Sequence, residues 1–316
     1  MKVLVTGGLG YLGSVLVTEL IKRGYEVRVL DSIIYSNYLA EKEKNFELIK
    51  GDIRDKKILR SAIDDVEAVI HLAGIIGDVA SNIDMELTID VNYLATTYLA
   101  SLCGKRDIKL IFSSTCSIYG AQSDQLLTEE SKVAPLSLYA FSKLLSEKAI
   151  KRLCRRYIIF RLGTLFGLSP RMRFDLVVNR FIAQAIQDGK ITVHGGRQRR
   201  PFVHLLDVSE YFIKALYEDV SGLYNIGGNN YQIIDVADFL KQKLGCEILI
   251  EKEQNDPRDY AVDSTAVQKT FGEKSFRKIE FGVDEIKSAY DHGLIKDYRD
   301  AIFDNAKWLK QLWRLQ

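Results

Sequence analysis

Cysteine and histidine are scarce in this 316-residue sequence, four of each, and neither type is clustered. Cys103, Cys116, Cys154 and Cys246 show no C-x-x-C spacing, so neither a structural zinc site nor a redox dithiol is expected. The thiols read as those of a reduced, cytoplasmic protein. Long apolar runs are missing, which argues against a membrane-spanning helix. The chain opens on a short strand pattern and not on a basic stretch followed by an apolar one, so no secretory signal is expected. Charge of one sign is not in excess either: 44 Lys and Arg meet 42 Asp and Glu, a net charge of +2. Such a balance offers no field for nucleic acid. The length allows one large domain or two intimate ones.

Glycine is present where it first matters. Met1–Gly13 reads MKVLVTGGLGYLG, an apolar β-branched run, then Gly7, Gly8, Gly10 and Gly13, then a helical pattern over Ser14–Arg23. Strand, glycine turn and helix in that order let backbone N–H groups approach a pyrophosphate, with the positive end of the helix aimed at the same anion. Gly7, Gly10, Tyr11, Leu12 and Gly13 are the candidate contacts. A second strand, Tyr25–Leu30, ends in Asp31, whose carboxylate suits two ribose hydroxyls and repels a 2′-phosphate. That selects NAD over NADP.

Strands continue to alternate with helices through the first half, which predicts a doubly wound parallel sheet. Phe46–Ile49 is followed by Asp52 and Ile53, suited to the adenine ring, although Asp52 equally suits a helix N-cap. Ala68–Leu72 ends in His71-Leu72-Ala73-Gly74, small residues across which a cofactor can lie. His71 itself reads as a packed strand residue. A helix with Asn92 and Tyr93 precedes a fifth strand, Lys109–Ser113, and a sixth is expected over Tyr157–Arg161. Leu223–Ile226 reads as the last strand of the parallel sheet.

The fifth strand runs into a row of hydroxyls, Ser113-Ser114-Thr115-Cys116-Ser117, where ligands bind in open α/β sheets. Twenty-four positions after Thr115 stands Tyr139, with Lys143 four further on. That spacing puts both on one helix face, where an ammonium can stabilise a phenolate for general acid/base work. Tyr38 and Lys42 share the spacing but lie in a polar stretch away from the hydroxyl row.

The second half concentrates cation in two loops, with Arg171 and Arg173 in one and Arg197, Arg199 and Arg200 in the other. Guanidinium groups there suit a substrate diphosphate, with Arg258 as a further member, although loop arginines can also be simply solvated. The last helix places Ile302, Ala306, Leu309 and Trp313 at apolar spacing and is expected to dock on its own domain.

Taken together, these residues resemble the extended short-chain dehydrogenase/reductase family, in its nucleotide-sugar epimerase/dehydratase branch. The resemblance spans nearly the whole chain and rests on the Gly7–Gly13 turn, Asp31, Asp52, the His71–Gly74 turn, Thr115 to Gly120, Tyr139 with Lys143, and Arg200. It implies a Rossmann domain over 1–165, rejoined by 203–227, and a smaller α/β domain over 166–202 and 228–316 for the nucleotide sugar. Thr115, Tyr139 and Lys143 are the implied catalytic set. Asn92 and Ser113 join the NAD contacts, while Cys116, Ser117, Thr164, Arg173, Asn179, Arg200 and Arg258 face the substrate.

The resemblance also implies a homodimer paired through the helices holding Asn92 and Tyr139. Where 4,6-dehydratases carry an Asp-Glu pair after the active-site Thr, this chain has Cys116 and Ser117. The Arg of the family's diphosphate loop falls at Glu253. The expected activity is 4-epimerisation through a 4-keto sugar; the alternatives are a one-way 4-dehydrogenase or 4-ketoreductase, or a non-catalytic NAD-sensing module.

Overall fold

A computed structural model describes residues 1–35, 44–251 and 258–314. Tyr38, Lys42, Glu253, Asp256 and Pro257 lie outside the described residues. One parallel sheet holds β1 (Lys2–Thr6), β2 (Glu26–Asp31), β3 (Phe46–Lys50), β4 (Ala68–His71), β5 (Lys109–Thr115), β7 (Tyr157–Leu162) and β11 (Gly222–Ile226). The other strands are β6 (Gln122–Leu127), β8 (Thr164–Phe166), β9 (Lys190–His194), β10 (Arg199–His204), β12 (Asn229–Gln232), β13 (Glu247–Glu251) and β14 (Tyr260–Val262). They form three small sheets, β12-β10-β8, β13-β9 and β14-β6.

The central order is β11-β7-β5-β4-β1-β2-β3. The chain grows outward from β1 through β2 to β3, then crosses back to start β4 on the other side. That reversal opens a crevice between β1 and β4 at the carboxyl ends of the strands, the place where such sheets bind ligands. Alternation along β1 feeds two cores, Val3 and Val5 into one and Leu4 into the other, and none of the three is exposed. A strand covered on both faces has no polar side to show, which is why it reads as a continuous apolar run.

Three local details differ from the sequence pattern. The first helix begins at Tyr11, earlier than Ser14, because Gly10 caps it and Ser14 N–H already donates to the Gly10 carbonyl at 2.9 Å. Tyr11, Leu12 and Gly13 are therefore first-turn residues, whose N–H groups have no partner within the helix. Asp52 is not the cap of the helix Lys56–Ala62; Asp55 is, accepting from Lys57 and Ile58 N–H. Asp52 instead holds Arg54 at 2.7 Å. The C-terminal helix Asn305–Arg314 does not dock on the small sheets: its buried Leu309 packs with Ile75 and Ala80 of the first half.

No helix among the described residues is long and apolar enough to cross a membrane.

Candidate active site

A cavity of about 1580 Å³ lies over the carboxyl ends of β1, β4 and β5. Its floor is the glycine turn. Gly7 has φ of +71°, and a Cβ there would stand 2.6 Å from the Ala73 backbone nitrogen. At Gly13 a Cβ would come 2.3 Å from the Gly7 carbonyl oxygen. Neither position admits a side chain, and the first helix, whose Gly10 cap has no side chain to cover the first-turn N–H groups, points its N-terminus at the cavity. Asp31 closes the adjacent edge, accepting from Leu9 N–H at 3.0 Å and Ile33 N–H at 2.8 Å. Burial pushes its carboxyl above the usual range. Each carboxylate oxygen keeps a lone pair for a further donor.

Asp52, Ile53, Leu72, Ala73, Gly74 and Ser113 also line this side. A glycine cradle, free first-turn donors and a strand-end carboxylate fit the pyrophosphate and ribose of a dinucleotide. Tyr11 lines the cavity as well, but its hydroxyl is committed, donating to the Gly167 carbonyl at 2.7 Å and accepting from Asn179 Nδ2. Only its backbone is available for a ligand.

The acid/base candidates meet on the neighbouring wall. Thr115 ends β5, and its hydroxyl accepts from Ser117 N–H at 3.1 Å and lies on the cavity wall with the Tyr139 phenol. Ser137 starts the helix Leu138–Leu153 as its cap, accepting from Ala140 N–H, which sets Tyr139 and Lys143 facing β5. Lys143 is 1% exposed and lies just beneath the lining, its Nζ donating to the Ser113 carbonyl at 2.8 Å.

Here the physics differs from the sequence expectation. Burial drives the Tyr139 phenol above its ordinary value, reinforced by the Asp78 carboxylate and opposed by Arg173 and Thr115. Burial also lowers Lys143 to about 7, with Glu147 opposing. The ammonium points at a carbonyl instead of the phenol, so desolvation outweighs the mutual stabilisation the spacing suggests. His71 is the packed residue expected: it is fully buried, with Thr6 and Thr96 hydroxyls each 2.7 Å from a ring nitrogen. Burial, with help from the Lys143 charge, holds it down to about 3.

Three residues assigned to ligands on sequence grounds lie behind the walls. Asn92 clamps the turn after β4, accepting from Ile75 N–H at 2.7 Å and donating to the Ile75 carbonyl at 3.0 Å. Asn179, unexposed, accepts from Gly167 N–H and donates to Tyr11 Oη and the Arg173 carbonyl. Cys116 turns inward, its Sγ 3.3 Å from the Arg161 carbonyl oxygen, and burial pushes the thiol up. Ser117 and Thr164 do line the cavity.

Arginines form the facing wall. Arg171, Arg173, Arg200 and Arg258 line the cavity. Arg197 is exposed and Arg199 is held by Asp259, so neither joins them. Arg173 grips Asp175 through two hydrogen bonds of 2.9 and 2.6 Å, and Arg258 pairs with Asp78 at 2.5 Å. Arg200 packs its guanidinium 5.3 Å from the Tyr260 ring centre. Asp78, Arg180 and Tyr260 also line the site and carry no motif. Asp175 was findable, two residues after Arg173. Asp78 was not, because Arg258 lies 180 residues away.

An open parallel sheet, a glycine turn on its first strand and a Thr–Tyr–Lys set on its fifth strand and following helix define a dinucleotide-dependent enzyme site. The chain matches the model of the NAD dependent epimerase/dehydratase family over residues 3–227, and it belongs to that family. It is 31% identical over 253 residues to a putative UDP-glucose 4-epimerase of Methanocaldococcus jannaschii, covering 77% of this chain and 82% of that one. With a UDP-N-acetyl-alpha-D-glucosaminuronate decarboxylase of Bacillus cytotoxicus it shares 33% identity over 266 residues, 76% of this chain and 79% of the other. Among solved structures, the UDP-glucuronic acid 4-epimerase of Bacillus cereus, in complex with UDP-glucuronic acid and NAD, superposes with a TM-score of 0.79 at 26% identity. That match covers 93% of this chain and 100% of the other. The family unites NAD-dependent enzymes of nucleotide sugars, with epimerases and decarboxylases both among these relatives.

Proposed function

We propose that the chain is an NAD-dependent nucleotide-sugar 4-epimerase. The observation that supports the reading is the Tyr139 phenol and the Thr115 hydroxyl together on the cavity wall, with no free carboxylate beside them among the described residues. Water elimination needs a second acid/base near the reacting carbons. The positions after Thr115 offer Cys116, turned away, and Ser117. The carboxylate that acts on Tyr139, Asp78, is already held by Arg258 and by the Ser137 hydroxyl, which donates to it at 2.6 Å.

Tyr139 takes the proton of the C4 hydroxyl and later returns it, while Thr115 holds that oxygen in line. Lys143 fixes the floor under them through Ser113. NAD, with its pyrophosphate held by the glycine turn, would supply reversible hydride acceptance at C4, the chemistry that inversion through a 4-keto sugar needs. Gly7, Gly10, Leu12, Gly13, Asp31 and Ala73 hold the dinucleotide; Arg173, Arg200 and Arg258 hold the substrate diphosphate within the smaller C-terminal part. Two such chains pair through the helices carrying Asn92 and Tyr139, where Leu94 and Phe141 are 51% and 46% exposed.

The test is turnover of UDP-glucose, UDP-N-acetylglucosamine and UDP-glucuronic acid without added cofactor, with product stereochemistry read by NMR. The expected product is the 4-epimer of one of them. Release of water or carbon dioxide, or consumption of one NADH or NAD per product, would overturn the reading.

A further inference from the structure

We propose that the C-terminal helix Asn305–Arg314 is a clasp over the dinucleotide groove, fastened by Asn305 and Trp308. The proposal rests on NAD occupying the glycine-turn groove, as read above. In the central sheet β1 lies between β2 and β4. A segment tied to the loops after both β2 and β4 therefore passes over the carboxyl end of β1 and the glycine turn.

The C-terminal segment is tied to both. On the β2 side, Trp308 Nε1 donates to the Ile34 carbonyl at 2.6 Å. On the β4 side, Asn305 Nδ2 donates to the Ile76 carbonyl at 3.1 Å, and Leu309, 3% exposed, packs with Ile75 and Ala80. A third attachment comes from the arginine wall: Arg171 Nη2 donates to Asn305 Oδ1 at 2.6 Å, with the Arg171 guanidinium 4.0 Å from the Tyr35 ring centre. Asn305 is 4% exposed, so one buried amide ties the loop after β4 to Arg171, whose guanidinium reaches the loop after β2 at Tyr35. Leu309, Leu312 and Trp313 line the same cavity as Gly10 and Asp31.

The family match ends at residue 227, so this clasp lies in the part of the chain beyond it. An epimerase has a use for it. The hydride removed from C4 must return to the same sugar, and a cofactor that leaves between the two transfers strands a ketone.

The experiment measures exchange of bound, radiolabelled NAD against excess unlabelled NAD. It compares the full chain, a chain ending at Asp304, Asn305→Ala and Trp308→Phe. The truncated chain should release NAD roughly tenfold faster or more, and each point variant roughly threefold faster, as expected for losing one or more hydrogen bonds. Trp308→Phe keeps an aromatic side chain while removing the Nε1–H donor with its five-membered ring, and the point variants guard against a truncated chain that fails to fold. Unchanged release in the point variants would overturn the clasp. So would a raised KM for the nucleotide sugar with NAD release unaltered, because the helix would then serve the substrate. A full chain that binds no dinucleotide would overturn the cofactor reading itself, an outcome distinct from a full chain that binds NAD and releases it as fast as the truncated one.

Discussion

The two walls of the cavity handle charge in opposite ways. On the sheet wall, Lys143 meets a backbone carbonyl and the face of Phe112, with Nζ 4.7 Å from the ring centre, and Tyr139 meets a hydroxyl. Burial therefore governs both groups and favours their neutral forms. On the arginine wall two of the cations bring a carboxylate: Asp175 for the buried Arg173 and Asp78 for the half-buried Arg258. Burial alone would lower the Arg173 pKa, but its pair with Asp175 raises it. Asp175 is correspondingly held below the usual carboxylate range by Arg173, against its own burial. Phosphate binding needs charges that persist under burial, and the Arg173–Asp175 pair keeps its own.

The largest effect expected from breaking this contrast is on the sheet wall. Tyr139→Phe removes the proton carrier and leaves the glycine turn and Asp31 untouched, so kcat should fall roughly a thousandfold while bound NAD stays stoichiometric. Steady-state rates and chromatography of the released nucleotide check both halves. A variant keeping more than about a tenth of the activity would move the acid/base role elsewhere. On the arginine wall the change should appear in KM. Arg200→Leu should raise KM for the nucleotide sugar roughly ten- to a hundredfold with kcat little altered, as for a lost charged hydrogen bond. Arg200→Lys should restore only part of it, since an ammonium lacks the planar fork.

The same contrast explains what the sequence disclosed. The sheet wall is local chemistry on regular elements, so a strand, its glycines and an i, i+4 pair following the hydroxyl row make Gly7 to Gly13, Asp31, Tyr139 and Lys143 candidates by spacing and position, with Thr115 added by the family resemblance. Burial at Lys143 is not in the spacing, and it reverses the expected electrostatics. The arginine wall is built by long-range contacts. Composition placed Arg171, Arg173, Arg197, Arg199 and Arg200 together, but only tertiary packing selects which face the cavity. Asn92 and Asn179 show the limit from the other side: polar residues near a ligand groove can be its masonry. The C-terminal helix showed its apolar stripe in sequence; its partners, Ile75 and Ala80, lie more than 200 positions away.

Burial on the sheet wall also predicts how stability varies with pH. Lys143 in the folded chain titrates near 7, below its unfolded value of 10.5, so between about pH 7 and 10.5 the unfolded chain binds the extra proton. Stability of the protein stripped of dinucleotide should therefore rise with pH across that window, by at most about 1.4 kcal/mol per unit. Lys143→Met should flatten the rise and abolish turnover together. His71 gives the acid counterpart. Its folded value near 3 lies below the unfolded 6.5, so stability should fall as pH drops from 6.5 toward 3. His71→Asn should lessen that fall, by up to about 1.4 kcal/mol per unit. Urea denaturation at stepped pH checks both, and a slope identical to wild type in either variant would remove that group from the account.

The smallest effect separates the wall from what stands behind it. Cys116 and Ser117 are neighbours in sequence, but only Ser117 lines the cavity, whereas Cys116 is wholly buried against the Arg161 carbonyl. Burial keeps its thiol protonated, so it offers neither an acid/base nor a nucleophile to a sugar ring. Cys116→Ala should therefore cost about 1 kcal/mol of stability, through the lost sulfur contacts, and leave kcat and KM within about twofold. Ser117→Ala should do the reverse, sparing stability and shifting KM. A drop in kcat of about tenfold or more for Cys116→Ala, at unchanged stability, would bring the thiol into the chemistry.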